Sequence, residues 1–250
     1  MDAQPLYDLS PLLRMALMGS ALALGPLAWL WLRHRDASPG QRLRALILLT
    51  MFLTFDLVVF GAFTRLSDSG LGCPDWPGCY GHASPLGAGV PITQAEAAMP
   101  DGPVTPAKAW IEMVHRYLAM VVGALCLVMA AAGWTERRRL PHSPWWPTLT
   151  LVWVIVQGLF GKYTVTLKLY PAVVTLHLLG ALVLLVLLAL QRESFAARPV
   201  TLTRPLRAGV AAVLGLVLLQ MALGGWVSTN YAVLACRGFP ACSGSWYVSA

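Results

Sequence analysis

The most unusual residues able to do chemistry in this sequence are two histidines set inside long apolar stretches. One stretch reads Ala109-Trp-Ile-Glu112-Met-Val-His115-Arg116-Tyr-Leu, the other Pro171-Ala-Val-Val-Thr-Leu-His177-Leu-Leu-Gly180. An imidazole in such a place can ligate a metal, carry a proton or hydrogen-bond across helices. Ionisable groups inside apolar spans are costly, so they carry the functional question. Glu112 stands three residues before His115 and projects from the same helix face. A carboxylate there could act as a general base on water or stabilise a developing positive charge beside a bound group. It could equally be the structural partner of Arg116, Lys108 or another base at the rim. For either histidine alone, the competing reading is a hydrogen bond between helices.

Cysteines supply the second set of reactive groups. Cys73-Pro-Asp-Trp-Pro-Gly-Cys79-Tyr-Gly81 and Cys236-Arg-Gly-Phe-Pro-Ala-Cys242-Ser-Gly244 share the pattern C-x-x-[WF]-P-x-C-x-G at an offset of 163 residues. At the same offset Gly61, Phe63 and Leu71 fall on Gly224, Trp226 and Leu234, so the two segments belong to an internal repeat. Each C-x5-C pair can close a local disulfide, work as a redox pair or remain as thiols. Metal ligation finds only His82 nearby and no spacing typical of zinc sites. Cys126 is left over, inside an apolar stretch.

The elements that must position these groups follow from composition. Of 250 residues, 57% are hydrophobic and only 12% are charged, with a mean hydropathy of +0.64, which excludes a water-soluble globule. Apolar runs at 12–32, 43–63, 109–134, 146–167, 169–190 and about 206–227 are each near the length that crosses ~30 Å of hydrocarbon as a helix. The expected fold is therefore an all-α polytopic transmembrane bundle. A net charge of +7 comes from scattered Lys and Arg with no nucleic-acid motif, so membrane lipid rather than nucleic acid is the implied partner. Arg33, Arg35, Arg42 and Arg44 fall in one flank, Arg137 to Arg139 in another, and Arg192, Arg198, Arg204 and Arg207 in a third. Basic flanks stay on the cytoplasmic side, so the N-terminus is expected outside. The first span, with no basic leader, reads as a retained helix rather than a signal peptide.

This topology puts all four paired cysteines on the outer, oxidising side, which favours the pairs Cys73–Cys79 and Cys236–Cys242. It also makes the two histidine spans parallel. His115 lies about 9 Å and His177 about 12 Å below the outer ends of their spans, at ~1.5 Å per residue. Facing imidazoles at one level in a four-helix bundle are what axial ligation of a heme iron requires. The repeat unit is then four helices, 43–190. An extra helix with its basic loop precedes it (1–42), and a second unit (191–250) opens with one helix and its cysteine loop, three helices short of the first. Arg65, Lys162 and Lys168 ring the outer face and could hold propionates or simply anchor the helices. Asp56 lies mid-span, where it could be functional or a hydrogen-bonded structural acid. Thr93 to Glu96 reads as a capping box that opens a short surface helix.

Three strings together resemble the heme A synthase family: Gly61-Ala-Phe-Thr-Arg65-Leu-Ser-Asp-Ser-Gly70-Leu-Gly-Cys73-Pro-Asp-Trp-Pro-Gly-Cys79, Glu112-Met-Val-His115-Arg116-Tyr and Thr175-Leu-His177. The likeness runs from about residue 43 onward. Members of that family are bacterial inner-membrane or mitochondrial enzymes with two pseudo-symmetric four-helix halves. They oxidise a methyl group of heme O to a formyl group, making heme A for cytochrome oxidase. The resemblance implies that His115 and His177 flank the substrate heme O in the N-terminal half, with Glu112 as the catalytic carboxylate. It also implies outer-face disulfides, localisation in the bacterial inner membrane and contact with the heme O synthase that supplies substrate. The electron acceptor is left open, as is a homo-oligomeric assembly. In the family a second histidine pair holds heme b in the C-terminal half; no residue of this stretch matches it, so substrate binding without turnover is expected of these 250 residues alone. Two rivals remain at this point: a non-catalytic heme b electron carrier, which needs no Glu112, and a membrane thiol-disulfide oxidoreductase, which needs no histidines within its spans.

Overall fold

The computed structural model describes residues 10–140, 142–195, 201–232 and 235. Its elements are α1 (Ser10–Arg33), α2 (Pro39–Leu66), α3 (Gly89–Ala98), α4 (Pro106–Thr135), α5 (Trp145–Thr166), α6 (Pro171–Ser194) and α7 (Arg204–Thr229). All but α3 are long and apolar enough to cross a membrane, so the chain is an all-α, multi-pass membrane protein. Helix ends overrun the apolar runs because polar caps add turns outside the hydrocarbon. Ser38 and Gln41 form a reciprocal capping box at the start of α2, and the Thr105 hydroxyl accepts from Lys108 N–H at the start of α4. Proline opens α2, α4 and α6, where its missing N–H would have had no helical partner anyway. Between α5 and α6 the chain reverses in four residues, with Lys168 and Leu169 in the left-handed region at φ 51° and 59°.

The surface helix expected from Thr93 exists but starts earlier. It runs from Gly89, no side chain caps it, and Thr93 sits within it, donating to the carbonyls of Gly89 and Val90. A threonine that finds a carbonyl three or four residues back fits a helix interior as well as a cap, so the S/T-x-x-E pattern alone misplaces the start.

Packing arranges α2, α4, α5 and α6 as a ring. α2 and α5 each pack on both α4 and α6, which places α4 and α6 diagonally across the bundle. α1 leans on α4 from outside, with Gly19 so close to Met120 that a Cβ there would overlap it. α7 packs on α6. Leu43, Leu46 and Ile47 of α2 meet Val122, Leu125, Cys126 and Met129 of α4 and Leu184 and Leu188 of α6 in one aliphatic core. By the order of the helices this core fills the half where α2 begins and α4 ends. A second cluster, with Met15, Cys73, Cys79, Ile92, Ala109 and Met113, seals the opposite rim between α1, α4 and the loop after α2. The histidines belong to neither cluster.

Candidate functional site

His115 on α4 turns toward α2. The ring of Phe60 lies nearly parallel to it, 12° apart in plane with centroids separated by 6.4 Å. Gly61 leaves its edge free: a Cβ at that position would stand 2.9 Å from His115 Cε1. Across the diagonal, His177 on α6 turns toward α5, where a Cβ on Gly161 would lie 3.8 Å from Cε1. The two imidazoles are within electrostatic reach of each other. Both rings are half-buried, and Nδ1 of each is buried without a hydrogen-bond partner. A structural histidine in a span is held by an interhelical hydrogen bond; among the described residues neither ring has one. The pair lies within reach of each other, and each imidazole stands beside a glycine rather than bonded to a neighbour.

Glu112 points elsewhere. It is 3% exposed, its Oε2 accepts the N–H of Cys73 at 2.7 Å, and its Oε1 receives the Arg116 guanidinium. Arg116, four residues on and 8% exposed, also donates to the carbonyls of Asp75 at 2.8 Å, Pro77 and Cys73 at 3.3 Å, and Gly78. One guanidinium thus gathers a whole loop, the use its fixed fork of donors allows and an ammonium does not. That loop is closed by the disulfide Cys73–Cys79. Asp75 closes its far side by accepting the N–H groups of Tyr80 at 2.6 Å and Gly81 at 2.7 Å. Gly72 lets it lie on the first turn of α4, since a Cβ there would strike the Lys108 carbonyl group. Of the partners the sequence allows for Glu112, the structure selects Arg116; Lys108 pairs with Asp68 instead, at 3.2 Å.

Arg65 stands in the last turn of α2, beside the end of α7. It donates to the carbonyl of Ser228 and its guanidinium carbon lies 4.3 Å from the centre of the Tyr231 ring, while its Nε is buried without a partner among the described residues. Tyr231 donates to Asp68 Oδ1 at 3.0 Å. Burial first, and that hydrogen bond second, push its phenol above the ordinary range. Asp56 lies on an exposed face of α2 and joins no described site. Cys236 and Cys242 lie outside the described residues. The residues missed in the sequence are Arg116 as organiser of the loop, Phe60 against His115, and the glycines 61 and 161. A signal for the first was present: an arginine four residues after a buried glutamate, inside an apolar span, needs acceptors.

Two imidazoles on diagonal helices of a four-helix ring, each with Nδ1 unpartnered among the described residues and each beside a glycine, are a donor set of the kind that can hold an iron-bearing ring in a membrane bundle. Comparison with known proteins narrows this. Residues 44–250 match the model of the cytochrome oxidase assembly protein family, and the chain belongs to that family. It is similar to a heme A synthase of Shewanella oneidensis, 40% identical over 211 residues, covering 82% of this chain and 63% of the relative. A heme A synthase of Shouchella clausii is 26% identical over 198 residues, covering 76% of this chain and 60% of its own. One from Cereibacter sphaeroides is 32% identical over 249 residues, covering 83% and 58%. The chain thus spans about three fifths of the length of these relatives. No solved structure matches it.

Proposed function

We propose that this chain carries the substrate-binding half of a heme A synthase, oxidising a methyl group of heme O to the formyl group of heme A for cytochrome oxidase. The observation that supports this best is the diagonal pair His115 and His177, neither of which has a hydrogen-bond partner among the described residues. Bound heme supplies the iron and the methyl group to be oxidised. His115 and His177 would hold the heme through its iron, with Phe60 stacked against His115 and room left by Gly61 and Gly161. Glu112 would be the catalytic carboxylate, releasing one of its two partners, Cys73 N–H or Arg116, to take a proton from water as the methyl carbon gains oxygen. Arg65 meets the propionate edge through its unpartnered Nε. The four-helix unit 43–190 is the catalytic half, and heme b belongs to the complementary half that the longer relatives have room for. The N-terminus faces outward from a bacterial inner membrane. Heme O arrives from its synthase, electrons leave to an acceptor in or at the membrane, and homo-oligomers are the assembly to look for.

Pigment analysis of the purified chain tests this reading. Bound heme O, lost in His115→Ala and His177→Ala while the helical fold persists, is the expected result. Bound heme b alone would favour the electron carrier, and a colourless chain would remove the heme site altogether.

A further inference from the structure

The start of α5 carries a concavity on the outside of the bundle. Ser143, Trp145, Trp146, Thr148, Leu149 and Val152 line an open groove of about 450 Å³. Positions 145, 148, 149 and 152 recur at helical spacing, so the groove follows one face of α5 for ~10 Å into the bilayer. Trp145, Trp146, Leu149 and Val152 are all exposed. The end of α4 braces this wall: the Trp134 indole N–H donates to the Thr148 hydroxyl at 3.0 Å, and the Trp134 ring meets that of Trp145 edge-on, with centroids 5.5 Å apart. An interfacial aromatic belt needs rings at one depth; it needs no groove held open by a neighbouring helix. Charge collects at the mouth. Arg137, Arg138 and Arg139 end the turn after α4 and are exposed. Arg139 is paired with Glu136 at 3.3 Å. Arg137 has only the Trp134 ring, 5.8 Å from its guanidinium carbon, and Arg138 has no hydrogen bond or ion pair among the described residues. Two guanidiniums are thus left over, one of them against the ring that braces Trp145. No acidic residue occurs between Glu136 and Glu193, so nothing in this stretch repels an anion.

We infer that this groove binds one anionic phospholipid, with an acyl chain along Leu149 and Val152 and the phosphate at Arg137 and Arg138. The two parts of the ligand match the two parts of the site. Guanidiniums recognise phosphate oxygens through charge-assisted hydrogen bonds, and the Ser143 hydroxyl at the mouth can add a donor. The groove itself runs from the membrane boundary along the axis of α5, the direction an acyl chain takes below its headgroup. Net positive charge at the mouth favours a headgroup with no cation of its own. Heme has no part in this site.

The test is native mass spectrometry of the intact chain in detergent, titrated with phosphatidylglycerol or with phosphatidylcholine of the same acyl chains. The native chain should retain one phosphatidylglycerol, bound about tenfold more tightly than phosphatidylcholine, the order of preference that two arginines beside an anionic headgroup supply. The double variant Arg137→Gln, Arg138→Gln, altered only at exposed positions, should bind both lipids alike. Val152→Trp, which fills the groove and leaves the arginines in place, should retain neither. Equal binding of the two lipids by the native chain would overturn the inference, as would a preference that survives loss of both arginines. Phosphatidylglycerol still retained by Val152→Trp, or displaced as well by glycerol phosphate as by more lipid, would show attraction to the basic rim alone and refute the groove. A dimer of the chain in place of bound lipid, lost in Val152→Trp, would give this face to a second copy and refute it equally.

Discussion

Arg116→Met isolates the contact on which the outer end of the site depends. The side chains of Arg116 and Glu112 are 9% and 5% exposed, so their charges are compensated mainly by each other and by the loop. Methionine keeps most of the aliphatic stem but removes every donor. Glu112 would be left with the Cys73 N–H, and the carbonyls of Cys73, Asp75, Pro77 and Gly78 would lose the guanidinium. Breaking one side of a buried ion pair costs about 3–5 kcal/mol, and the loop carbonyls, lying nearer water, recover part of their hydrogen bonding from solvent. The expected loss is therefore about 3 kcal/mol or more, measured by reversible unfolding in mixed micelles with the disulfide intact and followed by helical ellipticity. Glu112→Gln should cost less, about 1.5–3 kcal/mol, because the amide still accepts from Cys73 while the charge-assisted bond to Arg116 is weakened. The double variant should fall short of the sum by roughly 0.5–3 kcal/mol, as for residues in one network. A loss below about 1 kcal/mol in Arg116→Met, or strict additivity, would show that the guanidinium does not hold Glu112 and the loop together.

Other outcomes follow from the same geometry. His115→Ala and His177→Ala should each lose bound heme without loss of helix content, and a wild-type Soret spectrum in both would remove the pocket. Gly61→Ala should displace the His115 ring and weaken heme retention, because its Cβ would arrive at 2.9 Å, whereas Gly161→Ala at 3.8 Å should be tolerated; equal effects would refute the asymmetry. Non-reducing peptide mapping should recover Cys73 joined to Cys79 and Cys236 to Cys242, and cross-paired peptides would contradict the local pairing.

Most of the architecture was legible because each apolar run is long enough to need a helix and short enough to cross once. The histidines could be assigned only an expected depth, from a fixed rise per residue on two spans that run in one direction. The direction in which Glu112 points was not legible. Spacing by three places Glu112 and His115 on neighbouring positions, but which way a carboxylate turns depends on donors brought from elsewhere. Here the donors are Cys73 N–H, thirty-nine residues away in sequence, and Arg116. Nothing in the local pattern announces that a loop folds back over the first turns of α4; the glycine at 72 that permits it looks like any other loop glycine.

The repeat shows how a sequence signal acquires physical content. Arg65 binds the carbonyl of Ser228, and Asp68 accepts from Tyr231; both pairs are 163 residues apart, the offset that aligns the two cysteine motifs. Positions made equivalent by the repeat therefore touch each other. Parallel repeats related by an axis along the membrane normal do this only where they meet, and α2 and α7 run in the same direction. Contact at the C-terminal ends of these two helices puts the meeting point at the rim where Arg65 stands. A residue that can serve the propionate edge of one bundle is thus also the residue that joins it to the next. Replacing Arg65 should then disturb the seating of α7 as well as heme binding, whereas Tyr231→Phe, which keeps the ring under the guanidinium and loses only the bond to Asp68, should disturb the seating alone.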